Sequence, residues 1–239
     1  MSKINKLKDI ISNSNNIVFF GGAGVSTASN IPDFRSQDGL YSEQYDYPPE
    51  RIISNSFFME NPEEFYRFYK NKMVYRDAKP NYAHIALAKL EEQGKVKSII
   101  TQNIDNLHQM AGSKNVIELH GSVHRNYCMK CDKFYDLNYI LDYEGVPICN
   151  CGGTIKPDVV LYEEPLNNEA MTKAIQIINQ AEVFIVAGTS LTVYPAANMV
   201  RYFPGEHFVL INKEKTSYDR FADLVINDYI EKVFEEIVK

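Results

Sequence analysis

"GGAGVSTASNIPDFR" spans residues 21–35, directly behind the apolar run Ile17-Val18-Phe19-Phe20. A strand followed by glycines and small residues is the sequence form of a phosphate-binding turn. Glycine lets the backbone approach a pyrophosphate, and the N–H groups of a following helix can point at it. The match to G-x-G-x-x-G is incomplete, because Thr27 stands where the third glycine belongs. The stretch also ends on Asp33-Phe34-Arg35, a trio that a plain nucleotide loop does not need.

Outward from this turn, short apolar runs recur at 17–20, 98–101, 116–119, 158–162, 183–187, 208–212 and 224–226. Helical patterns lie at 3–12, 83–92, 169–180 and 230–238. Near-continuous apolar runs alternating with helices predict a parallel sheet covered on both faces. Two stretches break the pattern: an aromatic, polar segment at 36–79, holding the helix-like "NPEEFYRFYKNKMVY", and a cysteine-bearing segment at 122–157. The expected fold class is α/β, a Rossmann-like parallel sheet domain (1–35, 80–121 and 158–239) with an inserted small domain. That small domain combines a helical insert, 36–79, with a zinc-binding part, 122–157. Its junction with the sheet is the expected ligand cleft.

The 239 residues carry a net charge of −6 and are 45% hydrophobic. There is no basic field for direct nucleic-acid or membrane binding. The first eleven residues mix lysines with single apolar residues, without the apolar core of a secretory signal, and no run approaches a membrane span. The chain therefore reads as cytoplasmic, where disulfides are rare. Its four cysteines fall into two close pairs, Cys128/Cys131 and Cys149/Cys151, with 17 residues between the pairs. Two close thiol pairs fit one structural, tetrahedral Zn2+ site better than a redox motif, which needs one pair. The C-x-C pair demands a tight turn, which Gly152-Gly153 permits.

Polar groups then collect at strand ends, where doubly wound sheets bind ligands. They are Gln102, Asn103 and Asp105 in "TQNIDNLHQMAG", His120 in "ELHGS", Thr189 and Ser190 in "GTSLTVYPAA", and Asn212 in "INKE". With GAGVSTASNIPDFR, the two cysteine pairs and KPDVVLYEE, these stretches resemble, in order from residue 22 to 214, the catalytic core of the sirtuin family, the NAD-dependent protein-lysine deacylases.

The resemblance implies NAD+ as cosubstrate and acetylated or otherwise acylated lysine proteins or peptides as partners. The products would be deacylated lysine, nicotinamide and O-acyl-ADP-ribose. It places Ala23, Thr27 and Arg35 at the phosphates and Phe34 over the nicotinamide ribose, with Asp33 ordering the loop. Gln102 falls at that ribose, and Asn103, Ile104 and Asp105 at the nicotinamide pocket. Thr189, Ser190 and Asn212 face phosphate and adenosine ribose, and Tyr229 the adenine. Val160 offers main chain to an extended peptide. His120, with Asn103 beside it, is the expected catalytic group, because an imidazole titrating near ~6.5 suits proton transfer from a ribose hydroxyl at neutral pH. His84, His108, His124 and His207 read as ordinary polar or packing residues, His108 behind the QNID loop.

Two departures stand out. Tyr162-Glu163-Glu164 replaces the family's Phe-Gly-Glu, losing a glycine's backbone freedom beside the peptide. Acid-preferring sirtuins carry Tyr-x-x-Arg on a small-domain helix, but here Tyr66 is followed by Tyr69. Arg67 points about 100° away and Lys70 lacks a planar fork. With no such arginine to grip it, an acyl carboxylate would lie unpaired in an apolar channel, which predicts neutral acyl groups, acetyl first, with longer neutral chains admitted by an aromatic wall of two tyrosines. The competing readings are protein mono-ADP-ribosylation, a plain NAD-dependent dehydrogenase and a non-enzymatic zinc module. A dehydrogenase should place an acidic residue at a second strand end, whereas Asp38 and Glu43 lie inside the aromatic insert.

Overall fold

The computed structural model describes residues 2–33 and 46–239. Helix α1 (Lys3–Asn13) precedes strand β1 (Ile17–Gly21), and after the glycine turn come α2 (Pro49–Ile52), α3 (Asn55–Glu60) and α4 (Pro62–Phe68). Then follow α5 (Tyr82–Glu92), β2 (Val96–Thr101), α6 (Leu107–Met110), β3 (Val116–Glu118), β4 (Gly121–Cys128), β5 (Phe134–Tyr135), α7 (Leu137–Asp142) and β6 (Ile155–Val159). The chain closes with α8 (Asn168–Gln180), β7 (Val183–Ala187), β8 (His207–Ile211), β9 (Leu224–Ile226) and α9 (Ile230–Val238).

Six strands form the main sheet in the order β3-β2-β1-β7-β8-β9, and every pairing is parallel. The order reverses between β1 and β7, the crevice where such sheets bind ligands. Successive residues of β1 go to opposite faces. Phe19 joins Leu87, Ile185 and Phe234 under α5 and α9. Phe20 joins Ala174, Ile178 and Val186 under α8. Both faces are covered, so the central strands read as unbroken apolar runs. Side-chain caps start two of the helices that cover the sheet: Asn81 and His84 make a reciprocal capping box on α5, and Asn167 caps α8.

The run at 158–162 is a correction. It contributes no strand to the parallel sheet. Strand β6 lies at Ile155–Val159, antiparallel to β4 in a three-stranded sheet ordered β5-β4-β6. Its residues alternate between buried and half-buried, as expected for a strand packed on one face only. That face joins a third core drawn from two separate parts of the chain: Ile52, Phe58, Phe65, Tyr66 and Tyr69, and Val123, Ile140, Ile155 and Leu161.

A second correction concerns the turn after β1. No α-helix lies between Gly22 and Asp33. The chain makes two single turns of 3-10 helix, Ala23–Val25 and Thr27–Ser29. The Thr27 hydroxyl bonds back to the Gly24 carbonyl at 3.1 Å, and Asn30 at φ +62° ends the second turn.

The tyrosine wall is a third correction. Tyr66 and Tyr69 are both 1% exposed. The Tyr66 hydroxyl donates to the Ile155 carbonyl, and Tyr69 stacks on Phe65 at 5.7 Å. After α4 the chain widens into a π-turn, Tyr69–Met73, which changes which residues face outward. Lys70 is engaged by the Tyr143 and Gly145 carbonyls. Both rings therefore belong to the core, and the aromatic wall expected to admit longer neutral chains loses its structural basis.

Candidate active site

The turns behind β1 and β7 interlock at the reversal point. A Cβ on Gly22 would lie 2.7 Å from the Gly188 carbonyl oxygen, and one on Gly24 would lie 2.8 Å from Gly188 Cα. Gly188 itself sits at φ +62°. These glycines let two backbones touch, and the Gly24 N–H donates to the Gly188 carbonyl at 2.9 Å. The contact builds one wall of a cavity of about 700 Å³. Ala23, Thr27, Asp33, Gln102, Thr189, Ser190, Asn212 and Tyr229 all line it, together with Lys213 and Lys215.

The polar lining is pre-arranged. Asn212 receives the Thr189 N–H on its amide oxygen and donates its amide nitrogen to the Thr189 carbonyl, both at 3.1 Å. The Gln102 amide donates to Thr189 Oγ1 at 3.2 Å, joining the ends of β2 and β7. The volume suits a cofactor-sized ligand. Hydroxyl, amide and lysine groups supply the chemistry that ribose and pyrophosphate need, so the residues present fit NAD+. Phe34 and Arg35 lie outside the described residues.

A second cavity, about 520 Å³, runs between the main sheet and the third core. Ile104, Asp105, Val160 and the neighbours of Val160 line it. So do Lys72, Met73, Val74, Tyr75 and Arg76, from the chain beyond α4. The two cavities share Ala23, Pro32, Gln102, Asn103, His120 and Val193. His120 therefore stands where they meet. Its Nδ1 is 2.8 Å from the Gln102 carbonyl. A carbonyl only accepts, so Nδ1 carries the proton of the neutral ring and Nε2 keeps its lone pair. Burial pushes the His120 pKa below the usual imidazole range, against the pull of the Gln102 carbonyl. The next residue, Gly121, is at φ +76°, and a Cβ there would lie 1.9 Å from the Asp158 carbonyl oxygen. Only glycine lets β4 leave His120 so close to β6.

Behind the junction, Ser26 is the hub. Its hydroxyl donates to Asp105 Oδ2 at 2.6 Å and accepts from the Asn103 amide at 3.0 Å. Asp105 Oδ1 accepts the Leu107 N–H at 2.9 Å, while Asn106 takes a left-handed turn at φ +64°. His84 Nε2 lies 3.5 Å from Ser26 Oγ, and the His84 ring meets His108 edge-on at 4.7 Å. Burial lowers the His84 pKa to about 4, with the Asp105 charge opposing. Sequence reasoning passed over Ser26 and gave His84 no part here. Ser26 sits in the quoted loop, but the partner that gives it meaning is Asp105, 79 positions away.

The cysteines converge away from this junction. The four sulfur atoms lie within 4.8 Å of one another, with Cys128–Cys151 and Cys131–Cys151 at 3.4 Å and Cys131–Cys149 at 3.6 Å. Tetrahedral zinc with bonds of about 2.3 Å sets its sulfurs roughly 3.8 Å apart, so the four thiols fit zinc. The C-x-C turn closes through the Gly152 N–H to the Cys149 carbonyl at 2.8 Å, with Gly152 at φ +80°. A Cβ on Gly153 would lie 2.7 Å from Cys128 Sγ. Both glycines are what the tight pair requires.

The sequence pattern of the Sir2 family matches residues 22–195. The chain is 62% identical to an NAD-dependent protein deacetylase of Clostridium perfringens, over 99% of this chain and 98% of that protein. It is 43% identical to one of Staphylococcus aureus, over 97% and 96%. Among solved structures it is similar to a Sir2 histidine-to-alanine variant with deacetylated p53 peptide and 3′-O-acetyl ADP ribose. The TM-score is 0.91 at 40% identity, covering 99% of this chain and 98% of that one. It is also similar to Sir2 with p53 peptide and NAD+, with a TM-score of 0.87 at 41% identity, covering 99% and 98%.

Proposed function

The chain belongs to the Sir2 family, and from that premise we propose that it is an NAD-dependent protein-lysine deacetylase with His120 as its base. The observation that carries this is His120 at the meeting of a polar, cofactor-sized cavity and a second cavity walled by Val160. Bound NAD+ supplies an activated glycosidic bond to nicotinamide and an ADP-ribose that takes up the acyl group. Thr27, Gln102, Thr189, Ser190 and Asn212 hold its phosphates and riboses, with Ala23 at the turn and Tyr229 at the outer end. Asn103, Ile104 and Asp105 shape the nicotinamide pocket, and Ser26 holds Asn103 and Asp105 in place.

His120 works as a proton acceptor at Nε2, because Nδ1 is committed to Gln102. Val160 gives its N–H to the His120 carbonyl at 3.0 Å, so an acylated peptide running along this wall lies beside the base. The four cysteines hold a structural zinc. The segments that hold α2–α4 and β4–β6 make up the small domain, on the domain of the six-stranded sheet. Among the described residues no helix is long and apolar enough to cross a membrane, and four unpaired thiols suit the cytoplasm.

The test is a stoichiometric one. Incubated with NAD+ and an acetyl-lysine peptide, the protein should release nicotinamide and free lysine amine in equal amounts, with neither formed when one reactant is left out. NADH absorbance in place of nicotinamide would replace this reading with a dehydrogenase.

A further inference from the structure

The wall of the smaller cavity leaves β6 at Val160 and runs to Glu164, and all five of its residues line that cavity. It is tied down at both ends. At the near end the Val160 N–H bonds to the His120 carbonyl. At the far end the wall docks on the start of α3. The Tyr162 N–H donates to the Ile53 carbonyl, and the Asn55 N–H donates to the Tyr162 carbonyl, both at 3.0 Å.

Two neighbouring glutamates finish the far end in different ways. Glu164 is ion-paired with Lys156 at 3.1 Å and also accepts from the Asn55 amide and the Leu161 N–H. Glu163 is exposed, yet its backbone is held at φ +75°, a region that a β-carbon disfavours. Among the described residues its carboxylate engages Ser56 alone, accepting the N–H at 2.9 Å and the hydroxyl at 3.0 Å. Among the described residues no cation pairs with it. An exposed side chain in a strained backbone, engaged through both oxygens by one residue of another element, is a fastening.

We propose that Glu163 is a positioning residue that latches the substrate-lining wall onto α3, and so sets affinity for the acylated peptide rather than the rate of the chemistry. The proposal rests on the deacetylase reading for its substrate. The near tie, Val160 to His120, does not involve Glu163, which is why turnover of bound peptide is independent of the latch.

Steady-state kinetics on Glu163→Ala, Glu163→Gly, Glu163→Gln, Ser56→Ala and the Glu163→Ala/Ser56→Ala pair read this out. Losing the carboxylate should raise peptide KM about five- to tenfold, with kcat and the KM for NAD+ within about twofold. Glu163→Gln, which keeps an acceptor for the Ser56 N–H, should recover most of the affinity. Adding Ser56→Ala to Glu163→Ala should cost nothing further. Glu163→Gly should match Glu163→Ala in KM while melting higher, because glycine is unstrained at this φ. A purely structural residue would make KM follow melting temperature instead.

Amide hydrogen exchange at Tyr162 and Asn55 in the free protein, and direct binding of an acetyl-lysine peptide, report on the latch without catalysis. A wild-type protein that failed to deacylate would sink the activity and leave those two readouts to judge the latch. Unchanged KM and exchange in Glu163→Ala, or a fall in kcat at constant KM, overturns the proposal.

Discussion

The six-stranded sheet buries both faces under helices, and β7 is buried along its whole length. The three-stranded sheet packs one face on an aromatic core and gathers four thiols at its far end. The first region buries apolar residues on both faces and carries at its strand ends the polar groups that line the larger cavity. The second contains a two-residue strand, β5, and sets beside its aromatic core four thiols that fit a metal, a staple that small units use. Chemistry and stability are thus separable: His120 lies where the two regions meet, and the cysteines lie away from it.

The largest effect that sharpens this contrast is at the junction. His120→Ala should lower deacetylation by about 10²–10⁴-fold, the usual worth of a general base, while melting temperature and NAD+ affinity stay near wild type. A melting temperature that fell with activity would make His120 a structural residue and erase the distinction.

Next is the metal site. Cys128→Ser or Cys149→Ser, or treatment with a strong chelator, should remove zinc and lower the melting temperature by about 10 °C or more, because ligand binding energy is part of folding energy. Atomic absorption and a thermal melt on the same sample check it. A metal-free wild-type protein of equal stability would break the comparison from the other side.

A smaller effect belongs to the layer behind the junction. Asp105→Asn keeps the shape but removes the charge that Ser26 and the Leu107 N–H orient. Nicotinamide inhibition should weaken about tenfold, as for one charge-assisted hydrogen bond, with little change in adenosine binding. Unaltered nicotinamide sensitivity would remove Asp105 from that pocket.

The last effect is a slope. His84 has a folded pKa depressed by burial to about 4, below the roughly 6.5 of a free imidazole. The unfolded chain therefore binds the extra proton first. Stability from this group is present above about pH 6.5 and is lost as pH falls toward 4, at up to about 1.4 kcal/mol per pH unit. Fully buried His108, also depressed by burial and then by His84, adds to the loss in the same direction. Denaturant titrations at pH 7 and pH 5 should show the drop, and His84→Asn should reduce it. Equal stability at the two pH values would contradict a buried neutral pair.

What the sequence made legible follows the same divide. Strands buried on both faces are near-continuous apolar runs, so the parallel sheet and the polar strand ends that line its cavity could be read directly. β4, "GSVHRNYC", shows one buried face and carries Arg125, which bridges Glu118 and Asp158 at 2.7 Å each. Nothing in its composition marks a strand, and without it the run at 158–162 was read as part of the wrong sheet. Helical periodicity places Tyr66 and Tyr69 on one side of a continuous helix, but periodicity is silent on whether that side meets a cavity or a core. The cysteine spacing sufficed for a metal site because its partners are local. The contacts of Ser26 with Asp105 and of Glu163 with Ser56 remained out of reach because their partners lie 79 and 107 positions away.

The fate of the acetyl group tests the central claim most directly. After reaction of NAD+ with an acetyl-lysine peptide, mass analysis of all products should find the peptide lighter by one acetyl group and that group on ADP-ribose as O-acetyl-ADP-ribose. ADP-ribose attached to the peptide or to the protein, with the acetyl-lysine intact, would show that the two cavities serve ADP-ribosyl transfer and that the deacetylase account is wrong.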